Sequence, residues 1–358
     1  MYTSIRPGKY WYDTAGRLIQ AHGGSLLFDH GRYYWYGENK EGVTGRATGE
    51  KCPIWHGGVR LYVSDDLMNW QDEGVILVAE GAPETPFHPR NIMDRPHILR
   101  NDQTGQYVLW AKIAGVLGSG ADFAKGYMAV AVAPDIHGPY QVVGRIAQPE
   151  LPMGDFDLVK ADGKAYILYE RPHTEMICQT LTADYLNVTP EFSRHIYRGK
   201  PPFTREAPCY FERGGRRFVI ASGTTGYYPN ATETFEITDF HSEWKLLGKT
   251  CVHDAAHNSF HAQFSSVFHV PGSDVYIATG DRWLTDLPCD MPDMDELYQC
   301  KYPKAADFAQ RFPRSAMLTD DNTSMARYVW LPLRFDAAGT PYIAWQDEWR
   351  VADAAAGR

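Results

Sequence analysis

Short runs of alternating aromatic and aliphatic residues recur along the chain, each introduced by a turn residue. They read GRYYWYGE, GQYVLWAK, GKAYILYE, GRRFVIAS and SDVYIATG, starting at Gly31, Gly105, Gly163, Gly215 and Ser273. The spacing is roughly 50 to 75 residues, and each run ends on a small or polar group. A second element follows most of them: RLYVSDDLMNWQ, VAVAPDIHGPYQ, ICQTLTADYLNV and FEITDFHSEWK, each a strand, an Asp-containing turn and an apolar anchor. Heptads and long amphipathic helices are nearly absent. A repeat of this length is the signature of propeller blades, whereas a jelly roll or a two-domain sandwich does not predict it. The expected fold is all-β, a five-bladed β-propeller forming a single domain over residues 1–358. The five runs are expected to be its inner strands. The terminal GTPYIAWQDEW is expected to add a last strand pair that closes the ring against the N-terminal segment.

Composition narrows the partners. The chain has 358 residues, 13% of them aromatic, and a formal net charge of −9. Phosphate backbones demand a basic face, so nucleic acid is not an expected partner. An acidic, aromatic-rich protein suits a neutral ligand such as a sugar. No apolar run is long enough to cross a bilayer, so no membrane partner is expected. The opening MYTSIRPGKYWYD lacks a signal-peptide core. Either an intracellular protein or one whose leader has been removed fits that start. The six cysteines form no CxxC or zinc pattern. Cys289 and Cys300 bracket an acidic loop and are the candidate disulfide.

The chemistry-bearing residues stand where the repeated strands begin or end. His22 precedes the first run and Glu38 ends it. Asp94, Arg95 and His97 lead into the second run, Asp155 and Asp157 into the third, Glu206 into the fourth, and His261 and Gln263 into the fifth. Surface acids should fall anywhere in a repeat; these recur at one place. Asp94 and Glu206 each stand two residues before a proline, in DRP and EAP, and the bias of pre-proline backbone toward extended geometry is expected to fix their direction. A solvated Arg205–Glu206 ion pair is the plainer reading of that stretch. Carboxylates paired across a pocket are what glycoside hydrolysis requires: one stays protonated to donate to the leaving oxygen, and a neighbouring negative charge raises its pKa. Glu206 is the expected acid, with Asp94 or Asp157 as its charge neighbour. No HExxH, Walker or GxSxG pattern competes.

The stretches AHGGSLLFDHGRYYWYGE, DRPHILRNDQTGQYVLWAK, KADGKAYILYE, REAPCYFERGGRRFVIASGTTGYYPN, AQFSSVF, GDRW and RYVWLPL, in this order, resemble glycoside hydrolase family 43, and within it the exo-β-1,3-galactanase branch. That resemblance implies exo-acting, inverting hydrolysis that releases a terminal sugar from an oligosaccharide or polysaccharide, best matched by galactose from β-1,3-galactan. It implies Glu206 as general acid, Asp94 as the group tuning it, and Gln263 as base through its imidic tautomer, since the usual family base position reads AHGGS and holds no acid. Glu38, Tyr127, Thr225 and Asn230 match sugar-subsite positions, and Asp157 is expected to bind a hydroxyl or place the water. Trp283, or Trp35, is expected to offer a ring face to the sugar. No cofactor is required, but some relatives hold a calcium ion on the channel axis, for which His261 is the matching residue. The chain departs from the pattern by an insertion at about 288–321, in the fifth blade, which puts the identity of the sugar in question. An α-L-arabinofuranosidase or β-xylosidase, and an inactive carbohydrate-binding propeller, are the alternatives.

Overall fold

The computed structural model describes residues 1–42, 54–116, 120–121, 125–198, 203–285 and 323–355. The insertion at 288–321, with Cys289 and Cys300, lies outside the described residues. The strands form five antiparallel sheets, each built from consecutive chain. Blade one holds β1 (His22–Asp29), β2 (Arg32–Glu38), β3 (Gly58–Ser64) and β4 (Gln71–Val78). Blade two holds β5 (Asn91–Arg100), β6 (Tyr107–Val116), a short β7 (Gly120–Ala121) beside β6, β8 (Tyr127–Ala133) and β9 (Gln141–Ile146). Blade three holds β10 (Phe156–Ala161), β11 (Lys164–Arg171), β12 (Glu175–Leu181) and β13 (Val188–His195). Blade four holds β14 (Arg205–Arg213), β15 (Arg216–Gly223), β16 (Glu233–Ile237) and β17 (Trp244–Lys249). Blade five holds β18 (Gln263–His269), β19 (Tyr276–Arg282), a short β20 (Arg327–Tyr328) beside β19, β21 (Leu331–Phe335) and β22 (Pro341–Ile343).

The first strands meet in a closed circle: β1 touches β5, β5 touches β10, β10 touches β14, β14 touches β18, and β18 touches β1. This is the five-bladed propeller. It also moves the aromatic runs one place outward. They form β2, β6, β11, β15 and β19, the second strand of each blade, while the innermost strands are the segments that precede them. The hairpin turns explain why the runs stand out so clearly. His30–Gly31, Asp162–Gly163 and Gly214–Gly215 all have φ between +47° and +81°, the left-handed pair that a two-residue hairpin of the right twist needs.

Each blade is apolar on both faces because each is sandwiched. In β6, Leu109 and Ala111 pack against blade one, and Val108 and Trp110 against blade three. The same alternation makes one buried cluster at every blade interface, five in all. The seam between blades five and one is closed without a shared sheet. Ile5 and Trp349 exchange two backbone hydrogen bonds of 2.8 and 3.0 Å. Around them lies an aromatic plug in which Trp35 touches Trp11, Trp70, Tyr328 and Trp330 at ring separations of 4.5–5.5 Å. The expected terminal strand pair is therefore one three-residue strand, β22, and a single bridge at Trp349. Trp35 belongs to this plug and is no sugar platform. Removing a buried indole that fills such a space costs about 3–5 kcal/mol. Trp35→Ala is expected to lower unfolding stability by that amount in urea titration, whereas the exposed Phe192→Ala should change it little.

Candidate active site

Five positions in register around the channel mouth carry facing pairs of polar residues. Where the innermost strand of each blade meets the far end of its second strand, the facing residues are His22 and Glu38, Asp94 and Lys112, Asp155 and Glu170, Glu206 and Ser222, and Gln263 and Asp281. A bulge follows the first, second and fourth of these on the innermost strand. The residue just after each is left-handed: Gly23 at φ +60°, Arg95 at +56° and Ala207 at +50°. Bulges re-aim side chains, and here they turn Asp94 and Glu206 off the pleat. Arg95 and Ala207 are the pre-proline residues, so the expected extended geometry is replaced by a left-handed kink.

The side chains join into one buried chain of contacts. Asp94 accepts from Trp55 Nε1 at 3.1 Å and pairs with Lys112 Nζ at 2.9 Å. Lys112 Nζ reaches Asp155 Oδ1 at 2.6 Å, and Asp155 Oδ2 accepts from Arg95 Nε at 2.9 Å. Arg95 Nη2 donates to Gln263 Oε1 at 2.6 Å, which also accepts from Trp283 Nε1 at 3.1 Å. Gln263 Nε2 donates to Glu206 Oε1 at 2.9 Å and to Ser222 Oγ at 3.0 Å. Arg205 plays no part with Glu206: it donates to the carbonyls of Phe203 and Ala231.

The electrostatics separate the carboxyls. Burial, then the negative charges of Asp155 and Glu170, push Glu206 well above the ordinary carboxylate range, against Arg95 and Lys112. Burial acts on Asp155 too, but Arg95 and Lys112 hold it below that range. Asp94 is likewise held down by Lys112 and Lys40 in spite of its burial. Glu38 accepts from the Arg95 backbone N–H at 3.0 Å and pairs with Lys40 at 2.8 Å. Burial raises it to about 7, with Lys40 opposing and Asp94 reinforcing.

Glu206, Gln263, Asp94, Glu38 and Trp283 thus converge. Others do not. Asp157 lies further along β10, with its oxygens bonded to the Tyr210 and Leu158 amides at 2.8 Å; Asp155 takes the place expected of it. Tyr127 packs in the cluster between blades one and two with Arg145 over its ring. Thr225 and Asn230 spend their polar atoms on the loop they belong to: Asn230 bonds Gly223 N, Gly223 O and Thr225 Oγ1 at 2.6–2.7 Å, and Thr225 bonds Tyr228 O. That loop presents Tyr227, whose ring lies between Trp55 and Trp283, 6.4 and 5.2 Å away. Sequence reasoning misses Lys112, Ser222 and Tyr227 as members of the site, although Lys112 and Ser222 are the polar ends of repeated runs. Among the described residues no three metal-ligating side chains gather. His261 is kept neutral, held down to about 4 by burial and by the Arg282 cation.

Comparison with known proteins agrees with this geometry. No curated protein sequence matches the chain. Among solved structures, the chain is similar to a family-43 β-1,3-galactosidase, with 28% identity, a TM-score of 0.78, and 99% of this chain and 64% of that one covered. It is also similar to a second family-43 β-1,3-galactosidase, solved with galactodeoxynojirimycin, with 26% identity, a TM-score of 0.77, and 97% and 100% covered. An exo-β-1,3-galactanase from Clostridium thermocellum is 25% identical at a TM-score of 0.73, with 96% and 66% covered. The chain therefore spans just under two thirds of the first and third of these proteins. The profile described as Glycosyl hydrolases family 43 matches residues 21–277, from the first strand of blade one into β19, and the chain belongs to that family.

Proposed function

We propose that this glycoside hydrolase is an exo-acting, inverting enzyme that releases terminal galactose from β-1,3-linked galactan. The observation that carries the reading is the state of Glu206: a buried carboxyl pushed well above its ordinary pKa and anchored by Gln263. A carboxyl so placed keeps its proton at neutral pH and donates it to the oxygen of the departing sugar. The negative neighbours that push it up are Asp155 and Glu170, while Asp94 is ion-paired to Lys112 and accepts from Trp55. The similar proteins described as β-1,3-galactosidases and exo-β-1,3-galactanase support the choice of sugar and linkage. The half-buried ring of Tyr227, between Trp55 and Trp283, supplies apolar surface for the C–H face of a hexose.

Glu206→Gln is expected to reduce kcat on β-1,3-galactobiose by about 10²–10⁴-fold, with galactose affinity retained in calorimetry. An aryl galactoside with an acidic leaving group should lose less, because it needs less protonation. Proton NMR of the first-formed product should show the α-anomer; the β-anomer would sink the inverting mechanism. Release of arabinose or xylose from aryl α-arabinofuranoside or β-xyloside, with no galactose, would replace the substrate. Sugar binding without hydrolysis of any of them would leave a binding protein.

The pH dependence has a fixed sign. Activity needs Glu206 protonated, so kcat/KM falls as pH rises through its raised pKa. Asp155→Asn removes one negative neighbour and frees the charges of Lys112 and Arg95, and both effects lower that pKa. The alkaline limb of the pH–rate profile should move to lower pH in Asp155→Asn and move less in Asp94→Asn.

A further inference from the structure

The mouth is not open on every side. The loop between β15 and β16 carries Tyr227 away from its own blade, and the ring packs against Trp55, Ile92 and Ala114. Trp55 lies between β2 and β3 of blade one, and Ile92 and Ala114 lie on β5 and β6 of blade two. In the circle of blades, blade four adjoins three and five, so this loop reaches past its neighbours to the opposite rim. On the way its ring meets Trp283, just beyond the end of β19 in blade five, at 5.2 Å.

The loop is built to hold that ring still. Asn230 closes its base, with its amide bonded to both backbone groups of Gly223 at 2.6 and 2.7 Å. Asn230 Nδ2 also donates to Thr225 Oγ1, which donates to Tyr228 O, each at 2.6 Å, so a cross-brace runs from one side of Tyr227 to the other. Ser259, from the segment leading into β18, donates to the Asn230 carbonyl at 2.7 Å. Gly226 makes the left-handed step, φ +63°, that turns the chain just before Tyr227. Such a loop is a wall and not a lid.

The wall belongs to the site. Trp55 Nε1 donates to Asp94 Oδ1 and Trp283 Nε1 to Gln263 Oε1, each at 3.1 Å, so the indoles on either side of Tyr227 hold two of the groups gathered at the mouth. Behind the ring there is no passage, because Trp55, Ile92 and Ala114 are buried. A polysaccharide cut in its interior runs through the site and needs the mouth open on both sides of the scissile bond. A chain end needs only one. Resting on the hydrolase reading above, we propose that Tyr227 is the specificity-determining residue that confines cleavage to chain ends, by excluding any sugar linked beyond the terminal one. Selection of this kind comes from a clash with the wrong substrate and not from an added contact with the right one.

A blocked chain end tests the wall. Wild type, Tyr227→Ala, Tyr227→Leu and Tyr227→Phe would be given β-1,3-galactotriose with and without a 3-O-benzyl group on its non-reducing end, and then β-1,3-galactan, with each melting temperature recorded. Wild type is expected to cleave the blocked trisaccharide about 10²-fold less efficiently than the free one, and to release galactose alone from the polymer. In Tyr227→Ala that ratio should shrink by ~10-fold or more, and galactobiose or longer products should appear. Tyr227→Phe keeps the ring and should keep the discrimination, whatever its rate. If Tyr227→Ala does not fold, Tyr227→Leu, which retains an apolar contact with Trp55, decides on the same ratio. A wild type that cleaves both trisaccharides equally, or folded Ala and Leu variants with wild-type discrimination, would overturn the proposal. A wild type that turns over only pentosides would overturn the galactan reading alone, because blocked and free oligomers of that pentose then test Tyr227. Silence on every glycoside would overturn both.

Discussion

A carboxylic acid stays protonated inside a protein when the cations within reach are already claimed. That constraint organises the mouth of this propeller. Lys40 stands against Glu38, Lys112 bridges Asp94 and Asp155, and Arg95 clamps Asp155 from the other side. Glu206 comes last in the chain, and its carboxyl is bonded by the neutral amide of Gln263, facing Ser222, with no ion pair of its own among the described residues. Burying an isolated charge is costly, so the group keeps its proton instead. Removing Lys112 or Lys40 from such a chain leaves a buried acid with one ion pair fewer, which is why these residues act as a set.

The backbone makes that set possible. A regular strand sends alternate side chains to the two neighbouring blades, and every such position is needed for packing. A bulge releases one residue from the alternation. At His22, Asp94 and Glu206 the bulge and its left-handed successor do this three times over. Glycine tolerates that conformation freely at position 23. Arg95 and Ala207 hold it at a cost of roughly 1–2 kcal/mol each, which the surrounding sheet supplies.

Much of this is legible in the sequence. Two-residue turns with glycine and apolar alternation mark five hairpins, and acids recurring at one place in the repeat mark the mouth. The runs sit one strand further out than expected because sandwiched blades make first and second strands equally apolar, so periodicity alone cannot rank them. Asp155 precedes β10 and Asp157 lies within it, two residues on, and only the Glu170 N–H bond to the Asp155 carbonyl and the contact with Tyr210 N tell them apart. Thr225 and Asn230 are sugar-subsite positions by family resemblance, and their bonding within the loop is not visible in the sequence. Asn230 bonds Gly223 and Thr225, and Thr225 bonds Tyr228 O, so both brace the loop that carries Tyr227. Lys112 is hidden for the opposite reason: a lysine at a strand end reads as solvated until a buried acid is found on each side of it.

The seam between blades five and one has one more consequence. Every other interface joins neighbours that follow directly in the chain, but this one holds the ring shut with a backbone clasp and a plug of rings. The His22–Asp281 bond and the Gly23 amide bonded to the same carboxylate cross that seam at the level of the mouth. The ring is thus a band with its buckle at the working end: clasp, plug and these two bonds together hold the last blade to the first where the polar side chains gather.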